Sequence, residues 1–361
     1  MTESSLQRPR RRPLLSLLEA LATPHAVDRY LELLDPMVTA RETRARVERV
    51  ERPTPDSVVL ELRPTRQWRG ARAGQFVQVG IVIDGVRHTR CYSPTDPERG
   101  SGDRVTLIVR GHRDGLVSQH LVRHATEGDV VDLSTAAGEF VLPRSRPRRI
   151  VLISGGSGIT PVLSMLRTLA DEEFDGRVAF LHYTRALGDV PVLGELHALA
   201  RERANIAVRV VETSVEGRLA REHLDDAAPW LGADSEVFVC GPGTLVDAVA
   251  DLLDAGQFGA RMHTEMFTTA ALAPIGTADG TISFARSGVT AENTGASLLE
   301  QAEAAGLRPE HGCRMGICFS CTAVKRSGRT RDIRTGDTHD DPDQPIQLCI
   351  SAPVGDVEID V

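Results

Sequence analysis

The side chains whose type and spacing most directly imply chemistry are four cysteines toward the C-terminus. Cys313, Cys318 and Cys321 follow a C-x4-C-x2-C spacing, and Cys349 stands alone further along the chain. This is the spacing of the thiolates that hold a plant-type [2Fe–2S] cluster, which carries one electron at a time. The four cysteines therefore predict a metal centre for electron transfer.

Two other uses of clustered cysteines fit the sequence less well. Structural zinc sites usually pair C-x2-4-C knuckles, which differ from this spacing. A disulfide scaffold usually has a higher cysteine density than six in 361 residues. Gly312 and Gly316 also favour a cluster, because glycines let a loop turn sharply around the sulfurs. Cys91 and Cys240 have no other cysteine near them in sequence.

A second group of residues, in the N-terminal half, suits a flavin. Arg90 is a permanent cation that can hold a phosphate through two hydrogen bonds. Tyr92 offers a flat ring that can stack on an isoalloxazine. Ser93 can hydrogen-bond near the flavin N5. Residues 90–93 (Arg-Cys-Tyr-Ser) form a tetrad, which an ordinary salt bridge at the end of a strand would also explain when it is taken alone.

Gly115 and Ser118 lie downstream of the tetrad and add an anion site. They open a predicted helix, and the backbone N–H groups at a helix N-terminus bind phosphate well. Arg110 precedes this turn and is also predicted to bind a cofactor. Together with the tetrad, these residues strengthen the prediction of a flavin site.

A glycine-rich loop predicts a site for a nicotinamide nucleotide. Gly155, Gly156 and Gly158 follow a buried strand and precede an apolar helix, the context in which such loops bind phosphate. Thr160 is predicted as the N-cap of that helix and Pro161 as its first residue, so that the helix dipole faces the pyrophosphate. The loop lacks the G-x-G-x-x-G fingerprint, which makes an ordinary Rossmann dehydrogenase a poorer match.

Two further segments complete the predicted nucleotide site. Cys240, Gly241 and Pro242 end a later strand, where parallel sheets bind ligands; the ordinary alternative for Cys240 is a buried strand cysteine. Arg185 follows another strand and can pair with a 2′-phosphate, whereas an acidic residue there would favour NADH. Arg185 thus favours NADPH, and NADH stays open because a solvated surface arginine would look the same.

The pattern along the chain predicts three domains. Residues 37–146 contain short β-rich runs, which indicate a small antiparallel β-barrel. Residues 147–267 alternate strands and helices, which indicates a parallel α/β sheet. Residues 268–277 are predicted to be a linker. Residues 278–361 surround the cysteine motif and are acidic, with 8 Lys and Arg against 13 Asp and Glu.

Residues 1–36 are predicted to form an N-terminal helical extension. Leu14, Leu17, Leu18 and Leu21 fall on one helix face. That face would pack on the main body, or contact a membrane surface or a partner. A signal peptide is a poorer alternative, because a glutamate interrupts the apolar stretch.

Composition narrows the class of protein. The chain is 41% hydrophobic and 25% charged with a net charge of −8, as in ordinary globular proteins. No apolar run approaches the roughly 20 residues that cross a bilayer. We therefore expect a cytoplasmic protein, at most peripheral at the inner membrane face through its N-terminal helix. The negative charge argues against a nucleic-acid partner.

Taken together, these motifs resemble the ferredoxin–NADP reductase superfamily, in the branch with a C-terminal [2Fe–2S] domain. The motifs occur in the family's order between residues 90 and 349. The resemblance implies that the barrel binds FAD, with FMN less favoured, and that the last domain is a β-grasp ferredoxin. It also implies that Cys240 lies beside the nicotinamide and that Glu265 and Phe267 lie near the flavin ring. With Ser93, these three are the implied catalytic residues.

A narrower resemblance concerns the electron acceptor. Residues 23–36 and the tripeptide Trp68-Arg69-Gly70 resemble actinobacterial reductases that serve acyl-CoA desaturases. This implies an NAD(P)H oxidoreductase that passes electrons through its flavin and its cluster to a membrane-bound desaturase. The acidic last domain predicts a basic docking face on that acceptor.

Two alternatives to the desaturase partner stay open. The reductase component of an aromatic-ring or alkyl oxygenase can have the same domain order, and some such relatives bind FMN. An iron–sulfur redox sensor is an alternative of another class, which the intact flavin and nucleotide motifs disfavour.

Overall fold

A computed structural model describes residues 31, 35–99, 102–113, 115–268, 279–312, 316, 319–333 and 335–361, with the backbone alone at 267 and 268. The predicted N-terminal helix and linker lie almost entirely outside these residues, as do Cys313 and Cys318. Within the described ranges, no helix is both long and apolar enough to cross a membrane.

The first sheet is antiparallel. Its strands are β1 (Thr43–Thr54), β2 (Ser57–Pro64), β3 (Val77–Ile83), β4 (Val86–Tyr92), β5 (Val105–Arg110) and β6 (Val130–Leu133), with helix α1 (Leu116–His124) before β6. They lie in the order β4-β3-β6-β1-β2-β5. A bridge between Pro94, just after β4, and Leu107 in β5 joins the two edge strands. The sheet therefore curls into the predicted barrel.

The second sheet is parallel. Its strands are β7 (Arg149–Gly155), β8 (Arg177–Thr184), β9 (Ile206–Glu212), β10 (Ser235–Pro242) and β11 (Arg261–Thr268). The intervening helices are α2 (Ile159–Asp171), α3 (Leu193–Glu202), α4 (Arg221–Ala227) and α5 (Gly243–Ala255), with 3₁₀ turns at Gly156–Gly158 and Leu187–Asp189. The strand order is β11-β10-β7-β8-β9, so the chain reverses direction across the sheet between β7 and β10. Open parallel sheets bind ligands at such a switch point.

The third sheet is mixed and belongs to the C-terminal domain. Its strands are β12 (Thr281–Phe284), β13 (Val289–Glu292), β14 (Thr322–Asp332), β15 (Thr338–His339), β16 (Gln344–Gln347) and β17 (Ser351–Ile359), with helix α6 (Leu298–Ala304). β12 and β17 pair in parallel, and the other pairs are antiparallel. Ser297 and Glu300 form a capping box at the start of α6. The predicted β-grasp arrangement is confirmed.

The barrel and the parallel sheet share one apolar core. Ile108 and Phe140 from the barrel domain pack in the same buried cluster as Leu152 and Phe238 from the parallel sheet. The rings of Phe140 and Phe238 meet edge to face with centroids 5.9 Å apart. This packing sets the distance between the two sheets that the predicted cofactors must bridge.

The three-part fold is confirmed. The β-rich runs that the sequence predicts in the barrel, 58–62, 76–79 and 105–109, coincide with β2, β3 and β5, with Phe76 in a bridge just before β3. The longest strand of the barrel, β1, was not among those runs. Arginine and glutamate occupy most of its outward positions, which hides its alternating pattern. The boundaries of the domains stay predictions.

Candidate functional site

The predicted flavin residues lie at the end of β4 and just beyond it. Arg90 Nη1 donates to the backbone carbonyl of Thr89 (2.8 Å). Tyr92 packs against the barrel core, and this burial raises the pKa of its phenol. Ser93 is 2% exposed, and its Oγ has no hydrogen-bond partner in the described part of the chain. A buried hydroxyl without a partner is costly, so Ser93 fits a site that a ligand such as a flavin completes.

Gly115 and Ser118 form a tight turn at the start of α1. Ser118 Oγ accepts a hydrogen bond from the backbone N–H of His112 (3.1 Å) and donates to the carbonyl of Gly115 (3.1 Å). A Cβ at Gly115 would collide with Ser118 Oγ, so glycine at this position lets the serine hydroxyl hold the turn. The helix starts where the sequence predicted it, and its N-terminus remains the predicted phosphate site.

Arg110 ends β5 and connects the two domains. Its Nε lies 3.0 Å from Asp56 Oδ2 in the barrel, and its Nη2 lies 3.0 Å from Asp189 Oδ2 in the turn after β8. Each domain thus supplies one carboxylate to the same guanidinium. A cofactor group bound by Arg110, which the sequence analysis predicts to bind a cofactor, would share the guanidinium with these carboxylates or replace one of them.

The glycine loop and the Cys-Gly-Pro segment interlock at the switch point. A Cβ at Gly158 would lie 2.6 Å from the carbonyl carbon of Cys240, and one at Gly155 would lie 3.1 Å from Pro242 Cδ. Gly156 differs, because it has a φ of +56° and no atom lies within 4 Å of its would-be Cβ. Gly155 and Gly158 therefore serve packing between the two segments, and Gly156 faces open space where a phosphate can approach.

The start of helix α2 differs from the prediction. The helix begins at Ile159 with Gly158 as its N-cap, so Thr160 is its second residue and Pro161 its third. Thr160 Oγ1 donates to the carbonyl of Ser157 (3.3 Å) and does not cap the helix. The cause is the 3₁₀ turn, which starts winding the chain three residues earlier. Pro161 is tolerated because the first N–H groups of a helix have no helical acceptor.

Cys240 and Glu265 are neighbours in register on β10 and β11. Cys240 is fully buried, and burial and then the Glu265 carboxylate raise the pKa of its thiol, which stays protonated. The backbone of Gly241 lies close to the end of β7, since a Cβ at Gly241 would stand 3.1 Å from the backbone nitrogen of Gly155. The structure thus brings Cys240 and Glu265 together at the switch point. The side chain of Phe267 lies outside the described residues.

A buried serine–histidine pair stands beside Cys240 and was missed in the sequence. Ser154 Oγ lies 2.9 Å from His182 Nδ1, and both residues are at most 2% exposed. Ser154 is the in-register neighbour of Cys240 on one side and of His182 on the other. The signal was available, because each is a polar residue near the C-terminal end of an otherwise apolar strand.

Arg185 follows β8 directly, as predicted. Its side chain is exposed, and no ion pair holds it among the residues that the structure describes. Ser214 Oγ donates to the backbone carbonyl of Arg185 (2.6 Å), and the N–H of Thr213 donates to that of Thr184 (2.8 Å). The loop after β9 therefore holds the backbone at this position and leaves the guanidinium available to a ligand.

Two arginines beyond the predicted site tie the domains together. Arg146 contacts Glu98 of the barrel domain (3.0 Å) and Glu172 of the nucleotide domain (2.8 Å). Arg167 on α2 donates to the backbone carbonyl of Thr95 (2.9 Å) and pairs with Glu195 (2.6 Å). These partners are far apart in sequence, so no local pattern signalled the contacts.

Of the four predicted cluster ligands, the structure describes two. Cys321 and Cys349 are both buried in the core of the third sheet. The backbone N–H of Leu348 donates to the carbonyl of Cys321 (3.0 Å), which brings the two cysteine segments together. Gly316 has a φ of +73°, as expected for a loop that turns sharply. The closeness of the segments that carry Cys321 and Cys349 suits two ligands of one [2Fe–2S] cluster.

Three family models match the chain, one on each sheet. They are the oxidoreductase FAD-binding domain (residues 45–142), the oxidoreductase NAD-binding domain (152–251) and the 2Fe-2S iron-sulfur cluster binding domain (282–354). The cofactors are accordingly FAD, a nicotinamide nucleotide and a [2Fe–2S] cluster.

Two curated relatives align with most of the chain. The chain is 37% identical over 348 residues to an NADPH oxidoreductase of Mycobacterium tuberculosis. That alignment covers 94% of this chain and 90% of the relative. The chain is 30% identical over 294 residues to the NADH oxidoreductase HCR of Escherichia coli, covering 79% and 86% respectively.

A solved structure, phthalate dioxygenase reductase, has the same fold. It is described as a modular structure for electron transfer from pyridine nucleotides to [2Fe–2S]. The TM-score is 0.61 at 25% identity, covering 88% of this chain and 97% of that one. The chain therefore belongs to the oxidoreductases of the ferredoxin–NADP reductase type that carry a C-terminal [2Fe–2S] domain.

Proposed function

We propose that this enzyme takes electrons from NADPH and delivers them, through FAD and the [2Fe–2S] cluster, to a membrane-bound fatty acyl-CoA desaturase. The observation that carries the electron path is the core shared by the barrel and the parallel sheet, because Cys240 and Phe140 belong to the same buried cluster. When bound, FAD accepts a hydride as two electrons and passes them on singly. The chain's own residues hold the cofactors in order and need supply no acid–base pair.

We assign the predicted site residues to three tasks. Arg90, Tyr92 and Ser93 hold the flavin, with the orphaned Ser93 hydroxyl directed at the ring. Cys240 and Glu265 face the nicotinamide where it meets the flavin, and Phe267 belongs beside them. Gly241 and Pro242 line the nicotinamide site together with Cys240. The residues that bind phosphate groups and other parts of the cofactors are Arg110, Gly115, Ser118, Gly155, Gly156, Gly158, Thr160, Pro161 and Arg185. The four cysteines that hold the cluster are Cys313, Cys318, Cys321 and Cys349.

NADPH is the proposed donor because of the surroundings of Arg185. Its guanidinium is exposed and its backbone is held by Ser214, so a 2′-phosphate can approach without displacing an ion pair. Arginine pairs with phosphate through two parallel hydrogen bonds, which NADH cannot form at this position. The similarity to a protein named NADPH oxidoreductase supports the same donor.

The desaturase is proposed from sequence resemblance. Residues 23–36 and Trp68-Arg69-Gly70 resemble reductases that serve acyl-CoA desaturases. Trp68 is 5% exposed and packs in the barrel core, so this tripeptide has a structural role as well. The acidic C-terminal domain supports an acceptor with a basic docking face.

A soluble aromatic-ring oxygenase is the second candidate acceptor. It is favoured by the fold shared with phthalate dioxygenase reductase over nearly the whole chain. The electron path up to the cluster would be the same, so only the acceptor distinguishes the two proposals.

Reconstitution tests the acceptor. Purified enzyme and NADPH are added to membranes that contain a stearoyl-CoA desaturase but no reductase, and oleoyl-CoA is measured. We expect NADPH-dependent desaturation with the native enzyme and none with Cys349→Ser. A parallel reaction contains a soluble aromatic-ring oxygenase and its substrate. Turnover in that reaction alone would reject the desaturase and leave the reductase function standing.

A further inference from the structure

Phe319 is an exposed aromatic residue in the loop that carries the predicted cluster ligands. It lies between Cys318 and Cys321, and its relative exposure in the whole chain is 66%. The other large apolar side chains exposed in the described part of the chain are valines and leucines. Single exposed apolar residues are common on protein surfaces, so exposure alone assigns no role to Phe319.

The backbone of Phe319 is as unusual as its exposure. Its φ is +57°, in the left-handed region that a bulky side chain rarely adopts. Glycine at this position would remove both the strain and the exposed ring, so phenylalanine lowers the stability of the fold here. An outlier of this kind points to a role outside folding. Among the described residues, the other non-glycine positions with positive φ are all polar: Asp84, Glu173, Gln257 and Asp343.

A turn fixes Phe319 beside a cluster ligand. The backbone N–H and the Oγ1 of Thr322 both donate to the carbonyl of Phe319, at 3.1 and 2.6 Å. Two peptide units separate Phe319 from Cys321, so their Cα atoms lie within about 7.6 Å of each other. Cys321 is only 2% exposed, so the ring and not the thiol meets solvent. A protein that covers the ring of Phe319 is therefore close to the predicted cluster.

The charge of the C-terminal domain indicates which kind of protein would cover the ring. Residues 278–361 carry 8 Lys and Arg against 13 Asp and Glu, which attracts a basic surface. An apolar ring within a charged surface is the usual composition of a docking site, with an apolar centre and a polar rim. The domains of the chain leave the ring uncovered, which favours a separate protein over an internal contact.

We propose that Phe319 is the apolar anchor on which the electron acceptor docks, and that this acceptor has a small apolar depression within a basic surface. The inference rests on the proposed function, in which the cluster delivers single electrons to a separate protein. One electron leaves the reduced cluster and reduces the acceptor, while the ring of Phe319 is chemically unchanged. The strained turn holds the ring in place before the acceptor arrives, which reduces the ordering that docking requires.

Four variants separate the ring from its backbone. Phe319→Asn removes the ring and keeps a residue that tolerates positive φ, and Phe319→Gly also relieves the strain. Phe319→Tyr keeps an aromatic ring. Val354→Thr is the matched control, because Val354 is an exposed apolar residue of the same domain, on β17 opposite Arg329 and away from the turn. Phe319→Gly should unfold at a urea concentration no lower than the native protein does.

Calorimetry with oxidised enzyme and oxidised cytochrome c measures docking without electron flow. Cytochrome c is the probe because it is a small, basic protein that accepts one electron. We expect the Kd to rise about 10-fold in Phe319→Asn and Phe319→Gly and to stay near the native value in Phe319→Tyr and Val354→Thr. The KM for cytochrome c should rise by the same factor. A native Kd in Phe319→Asn and Phe319→Gly would overturn the proposal.

Stopped-flow reduction of the cluster by NADPH separates docking from the internal steps. Its rate and the iron content should match the native enzyme in both variants that lack the ring. Slower internal transfer would assign the ring to a contact with the chain's own barrel, and loss of iron in both variants would assign it to cluster assembly. A native dimer that Phe319→Asn dissociates would assign it to a second copy of the chain. Each of these three results would overturn the proposal.

Failure of the proposed function would look different. If NADPH reduces no cluster in the native enzyme, the proposed electron path is wrong. If the native enzyme reduces cytochrome c but drives no desaturase, the proposed acceptor is wrong, and the Kd values for cytochrome c still decide whether Phe319 is a docking residue.

Discussion

Gly158 lies against Cys240 so closely that a Cβ at Gly158 would stand 2.6 Å from the carbonyl carbon of Cys240. The contact joins the loop after β7 to the segment at the end of β10, on either side of the switch point. Two segments that are distant in sequence therefore build one surface, and the nucleotide site that we propose there requires their backbones to approach this closely.

Gly158→Ala should impair nucleotide binding. Its methyl group would meet backbone atoms, which cannot move aside as the end of a side chain can. We expect about 10-fold weaker NADP+ binding by calorimetry and a loss of about 1–3 kcal/mol in the free energy of unfolding. Gly194→Ala in α3 is the control, since its surroundings are open and both quantities should hold or improve slightly. Native-like NADP+ affinity in Gly158→Ala would contradict the interlocking of the two segments.

Ser93→Ala should separate flavin binding from stability. The Ser93 hydroxyl is buried without a partner in the described structure, so its removal should leave the stability of the flavin-free protein unchanged or slightly higher. Flavin affinity should fall about 5- to 10-fold, as for the loss of one hydrogen bond. Urea unfolding measures the stability, and fluorescence titration measures the flavin affinity.

Ser57→Ala gives the opposite pattern and serves as the control for Ser93. Ser57 Oγ lies 2.6 Å from Thr54 Oγ1 within the same barrel, so its loss should lower stability by about 1 kcal/mol and spare flavin affinity. Identical behaviour of the two variants would argue against a ligand at Ser93.

Arg185→Ala should change the choice of donor. Loss of the arginine should raise the KM for NADPH about 10- to 100-fold, because a charged hydrogen bond to phosphate is lost, and leave NADH almost unaffected. Arg177→Ala removes the same charge from the opposite end of β8 and should change neither KM. A parallel rise for both nucleotides in Arg185→Ala would show that the residue does not read the 2′-phosphate.

Glu172→Gln should weaken the domain interface in a pH-dependent way. The Arg146 guanidinium lowers the pKa of Glu172, so ionised Glu172 stabilises the fold above the ordinary carboxyl pKa. That contribution is lost as the pH falls through the lowered value in the folded protein. The variant should therefore be less stable than native by about 1–2 kcal/mol at neutral pH, and the difference should vanish in acid.

The control for Glu172 is Asp175→Asn. Asp175 pairs with Arg148, and both side chains are about three-quarters exposed, so the change should be under about 0.5 kcal/mol at any pH. Urea unfolding at several pH values measures both variants. A pH-independent difference for Glu172→Gln would mean that the ion pair does not contribute as described.

The motifs that could be predicted were those with a fixed local spacing. The glycine loop, Cys240 and Arg185 all follow strands whose apolar runs mark them clearly, and parallel topology then places strand ends at one edge. In the structure, the predicted nucleotide residues lie at the C-terminal ends of the strands that they were expected to follow. The Thr160 cap was wrong because a 3₁₀ turn has no distinct sequence pattern and shifted the helix start.

The contacts that escaped prediction are set by register and by domain docking. Ser154 and His182 meet only because β7 and β8 pair in one particular register. Arg146 reaches Glu98 and Glu172 across the domain interface. A single sequence carries the residue types for such contacts but not the distances between elements, which the shared core determines.

The central claim is that electrons from NADPH reach a cluster in the C-terminal domain. Cys321 is buried next to the segment of Cys349, so Cys321→Ser should remove a ligand without disturbing the barrel or the parallel sheet. In that variant NADPH should still bleach the flavin absorbance, and reduction of cytochrome c through the cluster should be lost. Equal loss of both activities would mean that the C-terminal domain serves structure rather than transfer.

The most direct measurement is electron paramagnetic resonance of the native enzyme frozen after anaerobic mixing with NADPH. The account predicts the signal of a reduced [2Fe–2S] cluster, absent before NADPH is added and absent in Cys321→Ser. Purified native protein that is colourless, contains zinc and gives no such signal after NADPH would contradict it.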